Sequence, residues 1–430
     1  MRIAIIGTGI SGNTAAYHLH KNHDITVFEA NSHIGGHTHT HEIEAADGQT
    51  LNVDTGFIVF NDWTYPHFIA LLDELGVGSQ ATEMSFSVKC EHSGLEYNGN
   101  TINSLFAQRS NLFRPRFHRM IRDILRFNRE GHAFLQQPPS NHISLGDFLE
   151  QGAYSRIFID KYIVPMGAAI WSANPEVMFG FPAQFFLRFF ANHGLLSVND
   201  RPQWRVIQGG SKGYLGKLTA GFQDRIRTNC PVQAIERRAD GISIITEQHG
   251  REDFDYVFIA THSDQALRLL GQPTLAERNV LGAIPYQDNE VILHTDTQLL
   301  PQRKLAWAAW NYHIPQQEQE QVAVTYDMNI LQGFTTPETY CVTLNYSGAI
   351  DESKIIKTLN YQHPVFTPGG INAQSQQRDI NGLIGGKRTY YCGAYWRNGF
   401  HEDGVVSALN ALEHFVQDTQ YAQQSLRRAG

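Results

Sequence analysis

The opening of the chain constrains the fold more than any other part of the sequence. A G-x-G-x-x-G run at residues 7–12 follows the apolar stretch Arg2–Ile6, which is typical of a buried strand. Residues from about Gly12 to His20 have the character of a helix, and Asp24 to Glu29 that of a second strand. This order of strand, glycine turn, helix and strand predicts the first half of a doubly wound α/β sheet with parallel strands.

The glycine turn has the chemistry of a phosphate-binding loop. Gly7 allows the tight turn, and Gly9 lets the backbone approach a pyrophosphate without an intervening side chain. The first amides of the helix carry partial positive charge, which favours phosphate oxygens. Glu29, 22 residues after Gly7, is placed to accept hydrogen bonds from ribose hydroxyls and to repel a 2′-phosphate. FAD or NAD fits this pattern, and the residues expected to hold it are Gly7, Gly9, Ile10, Ser11, Gly12, Glu29 and Ala30.

A second glycine pair distinguishes between the two dinucleotides. Gly35-Gly36 lies six residues past Glu29, and Asp54-Thr55-Gly56 follows a short predicted strand. With these features the sequence resembles the superfamily of flavin-containing amine oxidases, phytoene desaturases and protoporphyrinogen oxidases. In those proteins the glycine pair approaches the pyrophosphate of FAD. The resemblance therefore implies FAD as the cofactor and a Rossmann-like FAD-binding domain.

The resemblance continues in the middle and at the end of the chain, in Gln208–Ser211, Pro231–Ile235 and Cys392–Gly404. It implies a FAD-binding domain that is discontinuous in sequence, in an α/β fold that is α+β overall, with a mixed-sheet substrate domain and a helical cap at about 105–200. The expected FAD-binding domain is 1–62, 203–268 and 372–430, and the expected substrate domain is 63–202 and 269–371. Further residues that the resemblance places at FAD are Gly35, Gly36, His37, Thr55, Gly56, Phe57, Val232, Gly393, Glu402, Asp403, Gly404 and Val405.

The second half of the chain predicts further strands and a closing helix. The expected strands are Arg227–Cys230, Gln233–Arg237, Ile242–Thr246, Tyr256–Ala260, Val291–Thr295, Leu305–Asn311, Val322–Met328, Tyr340–Asn345 and Thr389–Cys392. The helical spacing that indicates the last helix is shown by Val405, Ala408, Leu409, Leu412 and Phe415.

Two departures from the superfamily bear on the activity. His33 and His37 flank the glycine pair, where an arginine is usual, and the stretch 288–294 lacks the lysine that amine oxidases carry on a strand of the substrate domain. The whole-chain pattern is similar to predicted FAD-binding proteins related to the oxidase-like domain of plant cyclopropane fatty-acid synthases. That similarity implies an oxidase or desaturase that passes hydride from a lipid or isoprenoid chain to flavin N5. An amine oxidase is the alternative.

Removal of hydride from carbon usually needs a base that takes the accompanying proton. The sequence offers four candidates and does not rank them: Glu290, His294, His313 and His401. Phe400 matches the aromatic residue that the superfamily holds beside the flavin. The aromatic residues expected to line a substrate pocket are Trp307, Trp310, Tyr395, Trp396 and Phe400. Catalytic roles are assigned to His294, Glu290, Phe400 and Trp396.

Two segments of the predicted cap bear on substrate and location. Phe185, Phe186, Phe189 and Phe190 fall on one broad helical face, suited either to wall a channel for an alkyl chain or to pack the core of the cap. Residues 109–129 are rich in arginine and aromatic side chains. This segment is suited to contact anionic lipid head groups or an acidic carrier, or else it is a solvated helix face.

Composition limits the partners and the location. The formal net charge of −8 disfavours nucleic acid, and the four scattered cysteines suggest neither a disulfide framework nor a metal site. Without a long apolar stretch or a leader ahead of the first strand, we expect a cytoplasmic protein, peripheral at most to the inner face of the membrane. A third class of function stays open, in which the chain is a non-catalytic, flavin-bearing partner of a lipid-modifying enzyme.

Overall fold

A computed structural model describes residues 1–138, 142–171, 175–317, 323–382 and 387–429. Its strands are β1 (Arg2–Ile6), β2 (Asp24–Phe28), β3 (Thr40–Glu44), β4 (Thr50–Asp54), β5 (Phe60–Asn61), β6 (Ser79–Ala81), β7 (Phe86–Cys90), β8 (Leu95–Asn98), β9 (Trp204–Ile207), β10 (Ile226–Arg227), β11 (Val232–Arg237), β12 (Ile242–Thr246), β13 (Gly250–Phe254), β14 (Tyr256–Ile259), β15 (Tyr286–His294), β16 (Trp310–Ile314), β17 (Ala323–Asp327), β18 (Cys341–Leu344), β19 (Ile355–Pro364) and β20 (Thr389–Tyr391). Its helices are α1 (Ile10–Leu19), α2 (Pro66–Glu74), α3 (Ile102–Leu105), α4 (Pro115–Leu135), α5 (Leu145–Gln151), α6 (Arg156–Phe158), α7 (Val164–Trp171), α8 (Pro175–Phe179), α9 (Ala183–Asn192), α10 (Lys212–Thr219), α11 (Ser263–Leu269), α12 (Leu275–Leu281), α13 (Met328–Gln332), α14 (Pro368–Gln374), α15 (Gln377–Ile380) and α16 (His401–Ala429).

The first sheet is parallel, as the opening of the sequence predicts. Its order is β10-β2-β1-β14-β20, and every neighbouring pair runs in the same direction. Along β1, Ile3 and Ile5 pack into one buried cluster, and Ala4 and Ile6 pack into another. α1 and α16 cover the first face, and α11 and α12 cover the second. The expected doubly wound arrangement is confirmed, and its strands come from the beginning, middle and end of the chain.

The second large sheet is mixed. Its order is β19-β15-β18-β17-β16-β7-β8, and only β16 and β7 are parallel neighbours. β15 and β19 pair along their length, from Tyr286 opposite Pro364 to His294 opposite Ile355. Tyr286 stacks on His262, which follows β14, with ring centroids 4.5 Å apart. The Tyr286 end of this strand pair therefore faces the parallel sheet.

The helices α3 to α9 form the cap. Their core is aromatic, and its fully buried rings include Phe117, Phe127, Phe158, Phe181 and Phe186. α4 turns Phe117, Met120 and Phe127 inward, while most of its arginines are exposed. Among the described residues, every helix is too short or too polar to span a lipid bilayer.

The structure differs from the sequence-based expectation at several strands. The strand expected over Arg227–Cys230 is Ile226–Arg227, and a turn follows it. In place of the first half of the strand expected over Leu305–Asn311, Lys304–Ala306 form a 3-10 turn and the strand begins only at Trp310. The reason is local, since the indole N–H of Trp307 donates to the carbonyl of Pro301 at 2.7 Å. β19, the longest strand, was not predicted because most of its residues are polar or exposed. The expected strand over Val322–Met328 begins at Ala323, and Val322 lies outside the described residues.

Candidate functional site

The site begins where four parallel strands end. Gly7 follows β1, Glu29 follows β2, Thr261 comes shortly after β14, and Gly393 comes shortly after β20. Because the strands are parallel, these positions meet at one edge of the sheet, which is where doubly wound sheets bind ligands. The amide of Gly7 donates to the carbonyl of Phe28 at 2.8 Å, which joins the glycine turn to the second strand.

Two glycine turns face each other at this edge with no room for a side chain between them. A Cβ atom on Gly36 would lie 3.1 Å from the Cα atom of Gly9, and one on Gly12 would overlap the carbonyl oxygen of Gly7. A Cβ on Gly9 would meet nothing within 4 Å, so open space lies above its backbone. Gly7, Gly35 and Gly36 have φ angles of 99°, 116° and 59°, a region that favours glycine. This is a cradle for a group that lies close to the backbone.

Glu29 is buried at the end of β2, and the protein itself satisfies its carboxylate. Oε2 accepts from the Thr8 amide at 3.0 Å and from the Thr8 hydroxyl at 2.5 Å. Oε1 accepts from the Asn31 amide at 2.9 Å and from the Asn31 side chain at 3.1 Å. A carboxylate has about four acceptor positions, so all of them are used. Ribose hydroxyls reach Glu29 only when the side chain of Thr8 or Asn31 rotates away.

Buried polar atoms without a partner lie around the glycine turns. They are Asn13 Oδ1 and Thr14 Oγ1 on α1, and His37 Nε2 directly after Gly36. Since buried polar atoms are nearly always hydrogen-bonded in folded proteins, their presence at this edge fits a ligand rich in donors and acceptors. FAD, with its two phosphates and its ribityl hydroxyls, has that chemistry. The residues present therefore fit the cofactor that the sequence implies.

The segment Thr55–Phe57 packs against the chain that follows the second glycine turn. The Phe57 amide donates to the His37 carbonyl at 2.7 Å, and the Thr55 amide donates to the His39 carbonyl at 3.1 Å. A Cβ on Gly56 would overlap the His37 carbonyl, so only glycine fits there. The structure brings these segments together, although they are separated by a hairpin of β3 and β4.

The start of α16 lies directly on the start of α1. A Cβ on Gly404 would lie 2.6 Å from Cγ2 of Ile10 and 3.0 Å from Oγ of Ser11. Val405 is buried in one apolar cluster with Ile10 and Phe57. The closing segment therefore reaches the first glycine turn, as the sequence predicts.

The remaining expected cofactor residues lie on the same edge. The amide of Gly393 donates to Ser407 Oγ at 2.9 Å, which ties the end of β20 to α16. Val232 begins β11, two residues after Cys230, whose amide donates to the Glu29 carbonyl at 2.8 Å. Ala30 is exposed beyond Glu29.

The side chains of Glu402 and Asp403 are used within the protein. Glu402 accepts from the amides of His67 and Phe68, at 3.1 and 2.8 Å, at the start of α2. Asp403 accepts from the amides of Asn398 and Phe400, at 3.2 and 2.9 Å. Their side chains are therefore engaged within the protein, and the expectation that Glu402 and Asp403 lie at FAD stays a prediction about their backbone. The two side chains hold the start of α16 and the loop before it in position.

His401, the first residue of α16, lies in a buried polar network. Its Nε2 is 3.0 Å from Thr38 Oγ1 and 3.0 Å from the hydroxyl of Tyr214. Its ring stacks on Phe57 with centroids 3.5 Å apart. Burial lowers the pKa of His401 to about 3, so the imidazole is neutral near pH 7. This candidate base instead joins α16 to the chain after the second glycine turn.

Sequence reasoning missed a group of rings beside His37. The ring centroids of His262, Tyr361 and His363 lie 6.2, 5.1 and 5.6 Å from that of His37. Burial lowers the pKa of His37 well below its ordinary value and that of His363 to about 4, so these rings are uncharged. No group of this kind in the described chain is arranged to hold a metal ion. The available signal was the alternation of Leu359, Tyr361 and His363 with polar residues in β19.

Glu290 and His294 lie away from the glycine turns. His294 is at the far end of β15 from Tyr286, about 26 Å along the strand at an ordinary rise per residue. It is buried, and its Nε2 is 2.7 Å from Thr343 Oγ1. The side chain of Glu290 is exposed. Neither position supports the expected role as base. His313 is likewise engaged, with Nε2 2.9 Å from Glu91.

Of the two aromatic residues expected to act at the flavin, one contacts the cap and one lies in the core beside the parallel sheet. Phe400 stacks on Phe189 of the cap, with centroids 5.5 Å apart, and lies 6.1 Å from the ring of His193. Trp396 is buried in the apolar cluster on one face of the parallel sheet. That is a packing position, so the structure does not support the catalytic role expected of Trp396.

All four phenylalanines of α9 lie in or against the apolar core of the cap, and they differ in which rings they contact. Phe186 and Phe190 are fully buried and stack on each other at 4.2 Å, so they form the core of the cap. Phe185 lies 5.7 Å from Phe366, and Phe189 lies beside Phe400. We call Phe185, Phe189, Phe366 and Phe400 the aromatic wall.

The fold and the site define a dinucleotide-binding flavoprotein. A family model described as flavin containing amine oxidoreductase matches residues 10–360. The match covers most of the chain, so the chain belongs to this family. The protein is an FAD-dependent oxidoreductase, and FAD is its cofactor.

Two solved structures illustrate the likeness in fold. Cyclohexylamine oxidase from Brevibacterium oxydans is 14% identical, with a TM-score of 0.68 over 97% of this chain and 99% of that chain. A CLA-producing fatty acid isomerase from P. acnes is 15% identical, with a TM-score of 0.68 over 96% of this chain and 98% of that chain. At these identities the likeness shows the fold alone.

One curated relative matches a short part of the chain. The probable flavin-containing monooxygenase 1 of Arabidopsis thaliana is 39% identical over 80 residues, which is 17% of this chain and 15% of the relative. The match therefore spans less than a sixth of that protein.

Proposed function

We propose that this FAD-dependent oxidoreductase takes hydride from a carbon of an apolar lipid or isoprenoid chain. The observation that carries the proposal is the aromatic wall, where Phe189 of the cap stacks on Phe400 in the loop that leads into α16. When bound, FAD would supply the hydride acceptor, solvent would take the proton lost from the neighbouring carbon as a double bond forms, and oxygen or another two-electron acceptor would reoxidise the reduced flavin. The wall supplies an apolar surface and excludes water beside the segment predicted to face the flavin.

The four side chains of the wall carry no charge, and the buried carboxylate of Asp403 lies beside them, where it accepts from the Phe400 amide at 2.9 Å. The nearest titratable ring is His193, which stacks on Phe189 with centroids 3.8 Å apart. Burial lowers the pKa of His193 to about 4, and its Nδ1 donates to the Phe189 carbonyl at 2.9 Å. An alkyl or isoprenoid chain buries its apolar surface on entering such surroundings, and an anionic group loses its hydration without gaining a partner. A protonated amine gains cation–π contact with the rings, so the wall alone does not exclude amines.

An amine oxidase has weaker support in this chain. β15 contains no lysine, and Lys357 on the neighbouring β19 is exposed and lies opposite Leu293, away from the Tyr286 end of the strand pair. The similarity to the oxidase-like domain of cyclopropane fatty-acid synthases stays a prediction, and so does the role of a flavin-bearing partner without turnover.

Anaerobic reduction of the bound flavin distinguishes these functions. The holoprotein is mixed with detergent-dispersed fatty acid or isoprenoid, and separately with primary amines, while the oxidised flavin band is followed. Bleaching by lipid or isoprenoid supports the proposal. Bleaching by amines alone supports the alternative oxidase, and bleaching by neither class supports the partner role.

Substitutions in the aromatic wall test whether it contributes to flavin reduction by a lipid. Phe189→Leu and Phe400→Leu are expected to slow reduction by a lipid by about tenfold or more, because they alter the surface that aligns the chain. The matched control is Phe134→Leu, a half-buried ring of the cap that packs on Phe148 instead. Equal rates of flavin reduction in all three variants would show that the aromatic wall does not contribute to the reaction.

A further inference from the structure

Exposed apolar side chains concentrate at one end of the cap. Phe113 is 86% exposed and Ile102 is 81% exposed, the two largest values among the exposed large hydrophobic residues of the described chain. Leu112 and Leu305 are 45% and 43% exposed. Isolated exposed apolar residues are ordinary, but several in adjoining turns indicate a surface that meets a partner.

The turns that carry these residues are tied together. Arg109 donates to the carbonyl and side-chain oxygens of Asn103 and to the carbonyl of Phe106, which joins the α3 turn to the turn before α4. His118 Nε2 lies 2.8 Å from the Leu112 carbonyl, which joins that turn to α4. The 3-10 turn Lys304–Ala306 packs against α3. The apolar side chains are therefore presented on a connected, hydrogen-bonded surface.

The surroundings of these side chains are cationic. Between residues 101 and 129 the only acidic residue is Asp123, which is buried and lies 3.8 and 3.3 Å from Arg119 and Arg126. The exposed charged residues of the stretch are Arg109, Arg114, Arg116, Arg119, Arg122 and Arg129. In a chain with a formal net charge of −8, this is a local reversal of sign.

We infer that this surface, formed by α3, the turn of residues 109–113 and the first half of α4, docks on an anionic phospholipid bilayer. Arginines meet the anionic head groups, and Ile102, Leu112 and Phe113 enter the interface between head groups and acyl chains. The exposed apolar side chains are surrounded by arginines. An anionic bilayer offers both negative head groups and an apolar layer to such a surface, whereas a folded acidic protein offers only the negative charge. The inference depends on the surface alone and not on the proposed substrate.

The cap links this docking surface to the aromatic wall. Phe106 and Phe117 lie behind the exposed turn, with ring centroids 5.6 Å apart. They belong to the same apolar cluster as Phe189 and Phe400. A protein docked in this way holds its aromatic core close to the bilayer.

Vesicle co-sedimentation of the FAD-loaded protein tests the inference without any turnover. The probes are vesicles of phosphatidylglycerol and phosphatidylcholine, and vesicles of phosphatidylcholine alone. We expect binding to the anionic vesicles that falls as salt rises, and little binding to the neutral vesicles. The double variant Phe113→Asp/Arg116→Glu is expected to lower the partition coefficient by about tenfold or more.

The matched control is Leu275→Asp/Arg278→Glu, which makes the same changes on the exposed face of α12. It is expected to bind as the wild type does. Flavin content and melting temperature show that both variants are folded. Absence of wild-type binding at low salt, or equal binding by both variants, would overturn the inference. So would a dimer in light scattering that Phe113→Asp dissociates, because the surface would then belong to a second copy. Failure here leaves flavin reduction by lipids unaffected, so the two proposals are separable.

Discussion

A Cβ atom on Gly404 would stand 2.6 Å from Cγ2 of Ile10, so the last helix and the first meet without a side chain between them. Ile10 and Gly404 are 394 positions apart in the chain. Their contact closes the FAD-binding edge, because it brings the start of α16 against the first glycine turn.

Gly404→Ala is expected to disturb that contact. The added methyl group has no space, since Cγ2 of Ile10 is held close to its own backbone, and overpacking of this kind costs about 1–3 kcal/mol. We expect a lower melting temperature and a lower ratio of FAD to protein. Gly216→Ala on α10 is the control, because a Cβ there meets nothing within 4 Å and alanine is favoured in a helix. Unchanged FAD content in Gly404→Ala would contradict the closing role of this contact.

Gly36→Ala tests the cradle between the glycine turns. Gly36 has a φ of 59°, and its Cβ would lie 3.1 Å from the Cα of Gly9. Gly209 has a φ of 74° with nothing within 4 Å of its Cβ, so Gly209→Ala carries a similar backbone strain without the close approach. We expect both variants to lose about 1–2 kcal/mol of stability from that strain. Only Gly36→Ala should also weaken FAD binding, as measured by titration of the apoprotein. Equal FAD affinities would show that the space above Gly9 is not used.

Glu29→Gln tests the carboxylate at the end of β2. Glutamine replaces one acceptor oxygen with an NH₂ group, which then faces donors from Thr8 or Asn31. An unsatisfied buried donor costs about 1–3 kcal/mol, so the free energy of unfolding is expected to fall by that amount. The Kd for FAD is expected to rise as well if a ribose hydroxyl takes a hydrogen-bonding position on this carboxylate. The control is Glu44→Gln, an exposed carboxylate on β3. An affinity equal to that of wild type would mean that the ribose is held elsewhere.

The structural features that these variants test differ in how well the sequence predicts them. The parallel sheet and the glycine cradle are predictable because strand, turn and helix signals are local, within Arg2–Glu29. The roles of Glu402 and Asp403 are not, because their partners are backbone amides in α2 and in the loop before α16. A carboxylate beside a cofactor motif does not reveal which donors it faces.

The ring group around His37 shows the same limit. His262 and His363 come from segments more than 200 residues further along the chain, and only the pairing of β15 with β19 brings His363 to the parallel sheet. β19 was missed because its exposed, polar residues lack the apolar pattern of a buried strand. By contrast, His294 is one of four base candidates in the sequence, and β15 places it at the end far from Tyr286.

His193 predicts a pH dependence of stability. The pKa of His193 is about 4 in the folded protein, below the 6.5 of a free histidine, so the folded state binds fewer protons between these values. Its contribution to stability is therefore present above pH 6.5 and is lost as the pH falls towards 4. Raised pKa values of about 6 at Asp54, Asp327 and Asp403 act in the opposite sense below pH 6. Comparison with a variant that lacks His193 separates the contribution of the histidine to the pH dependence of stability from that of these carboxyl groups.

His193→Phe keeps the stacked ring and removes the titration. The free energy of unfolding of the wild type should fall relative to that of the variant by roughly 1 kcal/mol per pH unit between pH 6 and 4.5, below the limit of ~1.4 kcal/mol for a whole proton. Urea denaturation across this range measures the difference. Parallel profiles for the two proteins would contradict a neutral, buried His193.

FAD held at the carboxyl edge of the parallel sheet underlies each of these predictions. The most direct test is titration of the folded apoprotein with FAD, followed by absorbance and by identification of the cofactor released on denaturation. We predict saturation at one FAD per chain, with FAD and not FMN released. A folded protein that carries no flavin once excess FAD has been removed by gel filtration would contradict it.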